Sequence, residues 1–253
     1  MRIGFTSTSF RQIKSLEKIV KIALDCGADC IEWGGDIHVR NEKDALEAKA
    51  LCDRYGISVC SYASYYRVGD GNTAEWERIC RIADILGAEW IRVWLGRRDS
   101  EKTDEATYKK ILADARAMCA VAEKYNIKIL SECHDNTFNN NTDAFLKIAD
   151  EISSPYFLTY FQSRYKKLKY DLDRIERTLP LTECVHISFS ELRREQFPKY
   201  DPSYIDTLLE KIKAVGFDKT MLLEYTYIFG RFGLPSSMKK DIMKLREKVG
   251  AVK

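Results

Sequence analysis

The sequence predicts one α/β domain, a closed (β/α)8 barrel spanning residues 1–253. Three observations carry this reading. Apolar segments of strand length alternate eight times with segments of helical periodicity, and such alternation requires parallel strands joined by crossover helices. Five helical segments stop at Gly27, Gly56, Gly87, Asn126 and Gly216, residue types that adopt the left-handed cap conformation at least cost. The stretch from Cys26 to Trp33 (CGADCIEW) echoes that from Leu86 to Trp94 (LGAEWIRVW), as two copies of one βα unit would. Eight units in a chain of 253 residues match a closed barrel better than an open doubly wound sheet. No G-x-G-x-x-G follows the first strand, so a dinucleotide-binding fold lacks its fingerprint.

Taken in order, Arg2 to Thr8 reads as the first strand, and Leu16 to Cys26 as a helix with apolar residues at Leu16, Ile19, Val20, Ile22 and Ala23. Cys30 to Gly35 is the second strand, Asp44 to Tyr55 the second helix, and Ile57 to Tyr62 the third strand. The helix from Thr73 to Leu86 leads to the strand Trp90 to Trp94, and the long helix from Asp104 to Tyr125 to the strand Ile127 to Glu132. Helices over Thr142–Ile152, Lys166–Thr178 and Asp206–Val215 then alternate with strands at Tyr156–Gln162, Cys184–Ser188 and Met221–Tyr225. Pro235 opens the last helix, which runs to Val249.

The composition is that of an ordinary globular core, with 45% hydrophobic and 31% charged residues. A formal charge of +3, from 41 basic and 38 acidic residues spread along the chain, provides neither a nucleic-acid footprint nor a polybasic membrane patch. The 8 cysteines form no C-x-x-C pair and mostly sit in apolar segments, where cysteine acts as a small hydrophobe. With no signal-peptide pattern and no apolar run of membrane-spanning length, the expectation is a cytoplasmic protein with reduced thiols.

Barrels of this class place their chemistry at the C-terminal ends of the strands. Those positions hold Glu32, Asp36 and His38 after strand two; Tyr62, Ser64, Tyr65, Tyr66 and Arg67 after strand three; and Arg92, Trp94 and Arg97 after strand four. Strand five supplies Glu132 and His134, strand six Gln162, strand seven His186 and Ser188, and strand eight Glu224. Strand periodicity turns His186 inward if its neighbours Val185 and Ile187 face outward. Glu224, directly after Met221-Leu222-Leu223, is expensive to bury without a cation, either a metal ion or an arginine such as Arg92 or Arg231. Trp33, Tyr62, Tyr65, Tyr66 and Trp94 have the chemistry to stack on a sugar face, with core packing the default for each. Arg67 and Arg97 are candidates for a substrate phosphate or carboxylate.

The pattern carried by IEWGGDIH (31–38), IRVWLGR (91–97), SECHD (131–135), Val185-His186 and Leu222-Leu223-Glu224 resembles the sugar phosphate isomerase/epimerase families of the xylose-isomerase-like TIM barrel superfamily. The resemblance implies a divalent metal site on strands five to eight. Matched position by position, its ligands are Glu132, Gln162, His186 and Glu224, with Gln162 standing where the family has an aspartate. It also implies Glu132 and Glu224 as catalytic base and acid and His134 as an additional ligand or a substrate contact; His38, Arg67, Arg92 and Arg97 are candidate substrate contacts by their strand-end positions. An oxygen-rich shell with one imidazole suits Mn²⁺ or Mg²⁺ first, then Zn²⁺ or Co²⁺. The partner expected is a small sugar or sugar phosphate, with no nucleic acid and no membrane, and self-association is left open. Two further readings share the barrel: a keto-polyol dehydratase or lyase on the same site, and a non-catalytic sugar-binding barrel that has lost its metal at Gln162. The histidine-rich, three-zinc nucleases of the superfamily need more than the three histidines present.

Overall fold

A computed structural model of the chain describes residues 1–163, 168–188, 203–224 and 234–251. Lys166, Lys167, Tyr225 and Arg231 fall outside them.

Eight parallel strands close on themselves in chain order, with β1 paired to both β2 and β8. They are β1 (Arg2–Thr6), β2 (Cys30–Gly34), β3 (Ser58–Val68), β4 (Trp90–Leu95), β5 (Lys128–Glu132), β6 (Phe157–Gln162), β7 (Thr182–Ser188) and β8 (Thr220–Glu224). The helices are α1 (Leu16–Cys26), α2 (Glu42–Tyr55), α3 (Thr73–Leu86), α4 (Glu105–Lys124), α5 (Thr142–Ile152), α6 (Leu168–Thr178), α7 (Tyr204–Ala214) and α8 (Pro235–Val249). The expected single (β/α)8 barrel is the architecture observed.

The five helix stops behave as their residue types require. Gly27, Gly56, Gly87, Asn126 and Gly216 all have positive φ, between 52° and 79°. The helix starts are equally local in origin, because the side chains of Ser15, Asn41, Asn72, Asp104 and Asn141 each accept a backbone N–H from the first turn of the helix that follows. Asn41 explains why α2 begins at Glu42 rather than Asp44.

The largest departure from the sequence reading is β3. It continues to Val68 instead of ending at Tyr62. The chain bulges after Ala63, where Tyr65 takes φ 61°, and rejoins β4 with Arg67 opposite Trp94 and Val68 opposite Leu95. The bulge sets the Tyr65 ring against Trp94, while Tyr66 and Val68 return to the core.

Two apolar layers result. The larger lies between strands and helices and includes Val185, Ile187 and Leu223. The smaller fills the barrel itself with Cys30, Cys60, Trp90, Leu130, Leu158, Tyr160, Cys184 and Leu222. β1 passes so close to β2 that a Cβ at Gly4 would sit 2.1 Å from the Cys30 carbonyl oxygen, so this strand can carry only glycine there. Among the described residues, no helix is long and apolar enough to cross a membrane.

Candidate active site

The interior layer fixes the level of the residues above it. Cys30, Trp90, Leu130, Tyr160, Cys184 and Leu222 point into the barrel, so by the strand period of two the inward residues one step nearer the mouth are Glu32, Arg92, Glu132, Gln162, His186 and Glu224. Six strands thus each present one polar side chain near the C-terminal end, above the apolar interior layer.

These groups are buried and crowded. Glu32, His186, Glu132 and Arg92 are between 0% and 3% exposed. Arg92 Nη1 lies 3.2 Å from Glu132 Oε2, 3.6 Å from Glu32 Oε1 and 3.8 Å from Glu224 Oε1. His186 mirrors it, with Nδ1 at 3.5 Å from Glu132 Oε1 and 3.7 Å from Glu224 Oε2, and Nε2 at 3.8 Å from Glu32 Oε1. One guanidinium and one imidazole therefore share three carboxylates.

Each carboxylate has its own surroundings. Glu32 Oε2 accepts hydrogen bonds from the Tyr160 hydroxyl at 2.6 Å and from Ser61 Oγ at 2.9 Å. The Tyr160 oxygen in turn accepts from Trp90 Nε1 at 2.5 Å. Glu132 Oε2 accepts from Trp94 Nε1 at 2.6 Å. Burial works to raise the Glu132 carboxyl, but Arg92, His186 and the Trp94 N–H outweigh it and hold the group well below the usual carboxylate range. For Glu224, burial and the neighbouring carboxylates prevail over His186 and Arg92, and its pKa is raised. Burial would lower His186; the carboxylates of Glu132, Glu32 and Glu224 reverse this and raise it.

The same geometry suits a divalent ion. Glu132, His186 and Glu224 each offer a ligand atom, and these atoms lie within 4.8 Å of one another. Both His186 ring nitrogens lack a hydrogen-bond partner, as do Glu32 Oε1 and the buried Gln162 Oε1. Buried polar atoms without partners are costly, and coordination would satisfy them. Gln162 stands in register with His186 on the same inward face. The donor set of carboxylate, amide oxygen and imidazole fits a hard or borderline divalent cation.

The other sequence candidates are scattered by the fold. His38 is buried away from the cluster, with Nδ1 against Ser7 Oγ at 3.0 Å and Nε2 against the Ile13 carbonyl at 2.9 Å. His134 is exposed at the rim, its ring 5.6 Å from that of Trp94. Arg67 lies over the Trp94 ring at 4.1 Å, while Arg97 reaches outward to Asp70 at 2.8 Å. Arg92 is engaged by three carboxylates rather than open to the mouth. Trp33, Tyr62 and Tyr66 belong to the core, whereas Tyr65 and Trp94 line the mouth at a ring distance of 5.1 Å. The role of Glu32 is new, as are those of Ser61, Tyr160 and the Trp94 N–H. The sequence signal for Glu32 is its place two residues after Cys30, the same offset that relates Glu132 to Leu130.

Comparison with known proteins matches residues 20–247 to the xylose isomerase-like TIM barrel family. A 3-dehydroshikimate dehydratase of Bacillus anthracis is 23% identical over 168 residues. That match covers 61% of this chain and 59% of the relative, so it spans less than two thirds of the curated protein. Among solved structures, a probable 3-DHS dehydratase from Bacillus anthracis superposes with a TM-score of 0.73 at 18% identity, covering 97% of this chain and 98% of its own. The 3-keto-D-glucoside 4-epimerase of E. coli gives 0.74 at 16% identity, over 98% and 99% of the two chains. A D-psicose 3-epimerase from Clostridium cellulolyticum H10 gives 0.76 at 12% identity, over 100% and 99%. At these identities the structural likeness is one of fold.

Proposed function

The chain belongs to the xylose isomerase-like TIM barrel family, and on that premise we propose that it is an enzyme that removes a proton beside the carbonyl of a sugar or sugar-like polyol. The observation that carries the reading is the contrast between Glu132 and Glu224. Both approach the same imidazole nitrogen, at 3.5 and 3.7 Å, yet one is held ionised and the other is pushed toward its protonated form. Two carboxyls whose surroundings drive them apart make a base and an acid.

In this scheme Glu132 takes the proton from the carbon next to the carbonyl, and the C–H electron pair moves into the carbonyl to give an enediolate. Arg92, beside both carboxylates, offsets the negative charge that develops above them. Glu224 returns its proton to the opposite face of the carbon, which inverts the centre. Return of the first proton by Glu132 to the adjacent carbon gives an isomer instead. Proton transfer by positioned carboxylates contributes on the order of 100- to 10,000-fold. A divalent ion held by Glu132, Gln162, His186 and Glu224, with Mn²⁺ or Mg²⁺ preferred, would polarise the substrate oxygens as a Lewis acid.

Dehydration is the second reading, favoured by the 23% identity to a 3-dehydroshikimate dehydratase. It begins with the same proton abstraction, but Glu224 then protonates a departing hydroxyl, which leaves as water. Product analysis separates the two. Purified protein with Mn²⁺ is incubated with ketoses, sugar phosphates and 3-dehydroshikimate, and the products are identified by NMR and mass spectrometry. An isomer or epimer of unchanged mass supports the first reading, and loss of water supports the second. Recovery of every compound unchanged contradicts both.

A further inference from the structure

Arg67 is a cation at the barrel mouth with no carboxylate partner among the described residues. Its guanidinium stacks on the Trp94 ring at 4.1 Å and donates through Nη1 to the Gly96 carbonyl at 3.0 Å. Among the described residues it forms no ion pair, whereas the neighbouring Arg97 is matched by Asp70 and Arg78 by Glu75. Arg67 and Arg97 line one cavity of about 430 Å³ with Ser64, Tyr65 and Asn72. Asp70 and Glu75 also line it, but each already has its own arginine, so the charge left over in the cavity is that of Arg67.

Arg67, which lines the cavity, is linked to the proposed reaction centre by side-chain contacts. The Trp94 indole connects them: its ring carries Arg67, and its N–H donates to Glu132. Tyr65 closes the other side, its ring 5.1 Å from Trp94 and 5.5 Å from the Arg92 guanidinium. Its backbone is held at φ 61°, a conformation costly for a tyrosine, and its hydroxyl accepts a hydrogen bond from Arg11 at 2.9 Å. One indole therefore contacts both the proposed base and the guanidinium.

We propose that the rim cavity around Arg67 is an anion subsite, so that the substrate carries a carboxylate or phosphate at the end remote from the carbonyl on which Glu132 acts. Arginine suits either group, because its planar fork donates two parallel hydrogen bonds to paired oxygens. The stacked indole holds the fork in place, so little freedom is lost on binding. The assignment of which end reacts rests on the function proposed above; the anion subsite itself does not.

Two measurements test it. Calorimetry follows binding of inorganic phosphate and of glycerate to the wild type, Arg67→Met, Arg67→Lys and Glu132→Gln. Exchange of carbon-bound hydrogen in D₂O is then compared for neutral ketoses, sugar acids and sugar phosphates. The expected result is binding of at least one anion that weakens tenfold or more in Arg67→Met, is partly restored in Arg67→Lys and persists in Glu132→Gln. The ratio of kcat/KM for anionic over neutral substrates should also fall at least tenfold in Arg67→Met, mostly through KM. The stronger of the two probes identifies the group as phosphate or carboxylate. Anion binding equal in wild type and Arg67→Met, or an anionic-to-neutral ratio unchanged by the substitution, overturns the subsite. Arg67-dependent anion binding with no exchange on any compound leaves the subsite standing and removes the proposed proton abstraction.

Discussion

Arg92 and Glu132 meet at 3.2 Å with almost no solvent contact, and the same guanidinium nitrogen lies within 3.8 Å of Glu32 and Glu224. The cation that makes this carboxylate cluster tolerable is thus part of the chain. Arg92→Met should therefore cost about 3–5 kcal/mol, because it leaves buried carboxylates without their partner. Urea unfolding at neutral pH measures this. The deficit should shrink in acid, where the carboxyls take up protons, and a loss below about 1 kcal/mol would show that the cluster does not depend on Arg92.

Trp94 donates one hydrogen bond of 2.6 Å to Glu132, the proposed base. Trp94→Phe keeps an aromatic ring and removes the donor. Since that N–H helps hold the Glu132 carboxyl below the usual range, its loss should let the pKa rise. The acid limb of the pH–rate profile should accordingly move to higher pH, with kcat reduced roughly 10- to 100-fold. An unmoved acid limb would separate Trp94 from the chemistry.

Gln162 supplies a neutral oxygen where the family resemblance leads one to expect a carboxylate. Gln162→Asp should bind Mn²⁺ about tenfold more tightly by calorimetry on chelator-treated protein. The metal-free variant should unfold at a lower temperature than the wild type, because it adds a fourth carboxylate to the cluster. Mn²⁺ should recover that loss by binding the folded state alone. Equal or weaker Mn²⁺ affinity would put the ion elsewhere.

His38 provides a test of pH dependence away from the reaction centre. Burial lowers its pKa, although the hydrogen bond to Ile13 works in the opposite direction. The unfolded chain therefore takes up the proton first as pH falls. Its contribution to stability is complete above the ordinary histidine value of about 6.5 and declines as pH drops toward the lower folded value. His38→Gln should flatten this part of the stability profile in urea titrations between neutral and mildly acidic pH. A profile parallel to the wild type would mean that His38 keeps its proton on folding.

Much of this architecture was legible in the sequence because its causes are local. Glycine stops and apolar runs of strand length are each set by a few adjacent residues, whereas the Asn41 cap that starts α2 at Glu42 went unread. The strand-end rule likewise picked out Glu132, His186 and Glu224, which the fold brings together. What stayed hidden depends on distant pairings. Glu32 matters because Tyr160, 128 positions away, donates to it; the sequence offers Arg92 as a partner for Glu224, but not the two further carboxylates, Glu32 and Glu132, that share it. His38 satisfies the strand-end rule yet turns aside, since Ser7 and the Ile13 carbonyl capture both its nitrogens. The extension of β3 was missed because the bulge at Tyr65 is fixed by pairing with β4 rather than by its own residues.

The claim that Glu132 and Glu224 share a proton transfer is tested most directly by deuterium wash-in. Wild type, Glu132→Gln and Glu224→Gln are incubated with Mn²⁺ and the best substrate in D₂O, and the label is located by NMR. The wild type should place deuterium on the carbon beside the carbonyl, and each substitution should slow this by on the order of 100- to 10,000-fold. Exchange at wild-type rate in both variants would contradict the assignment.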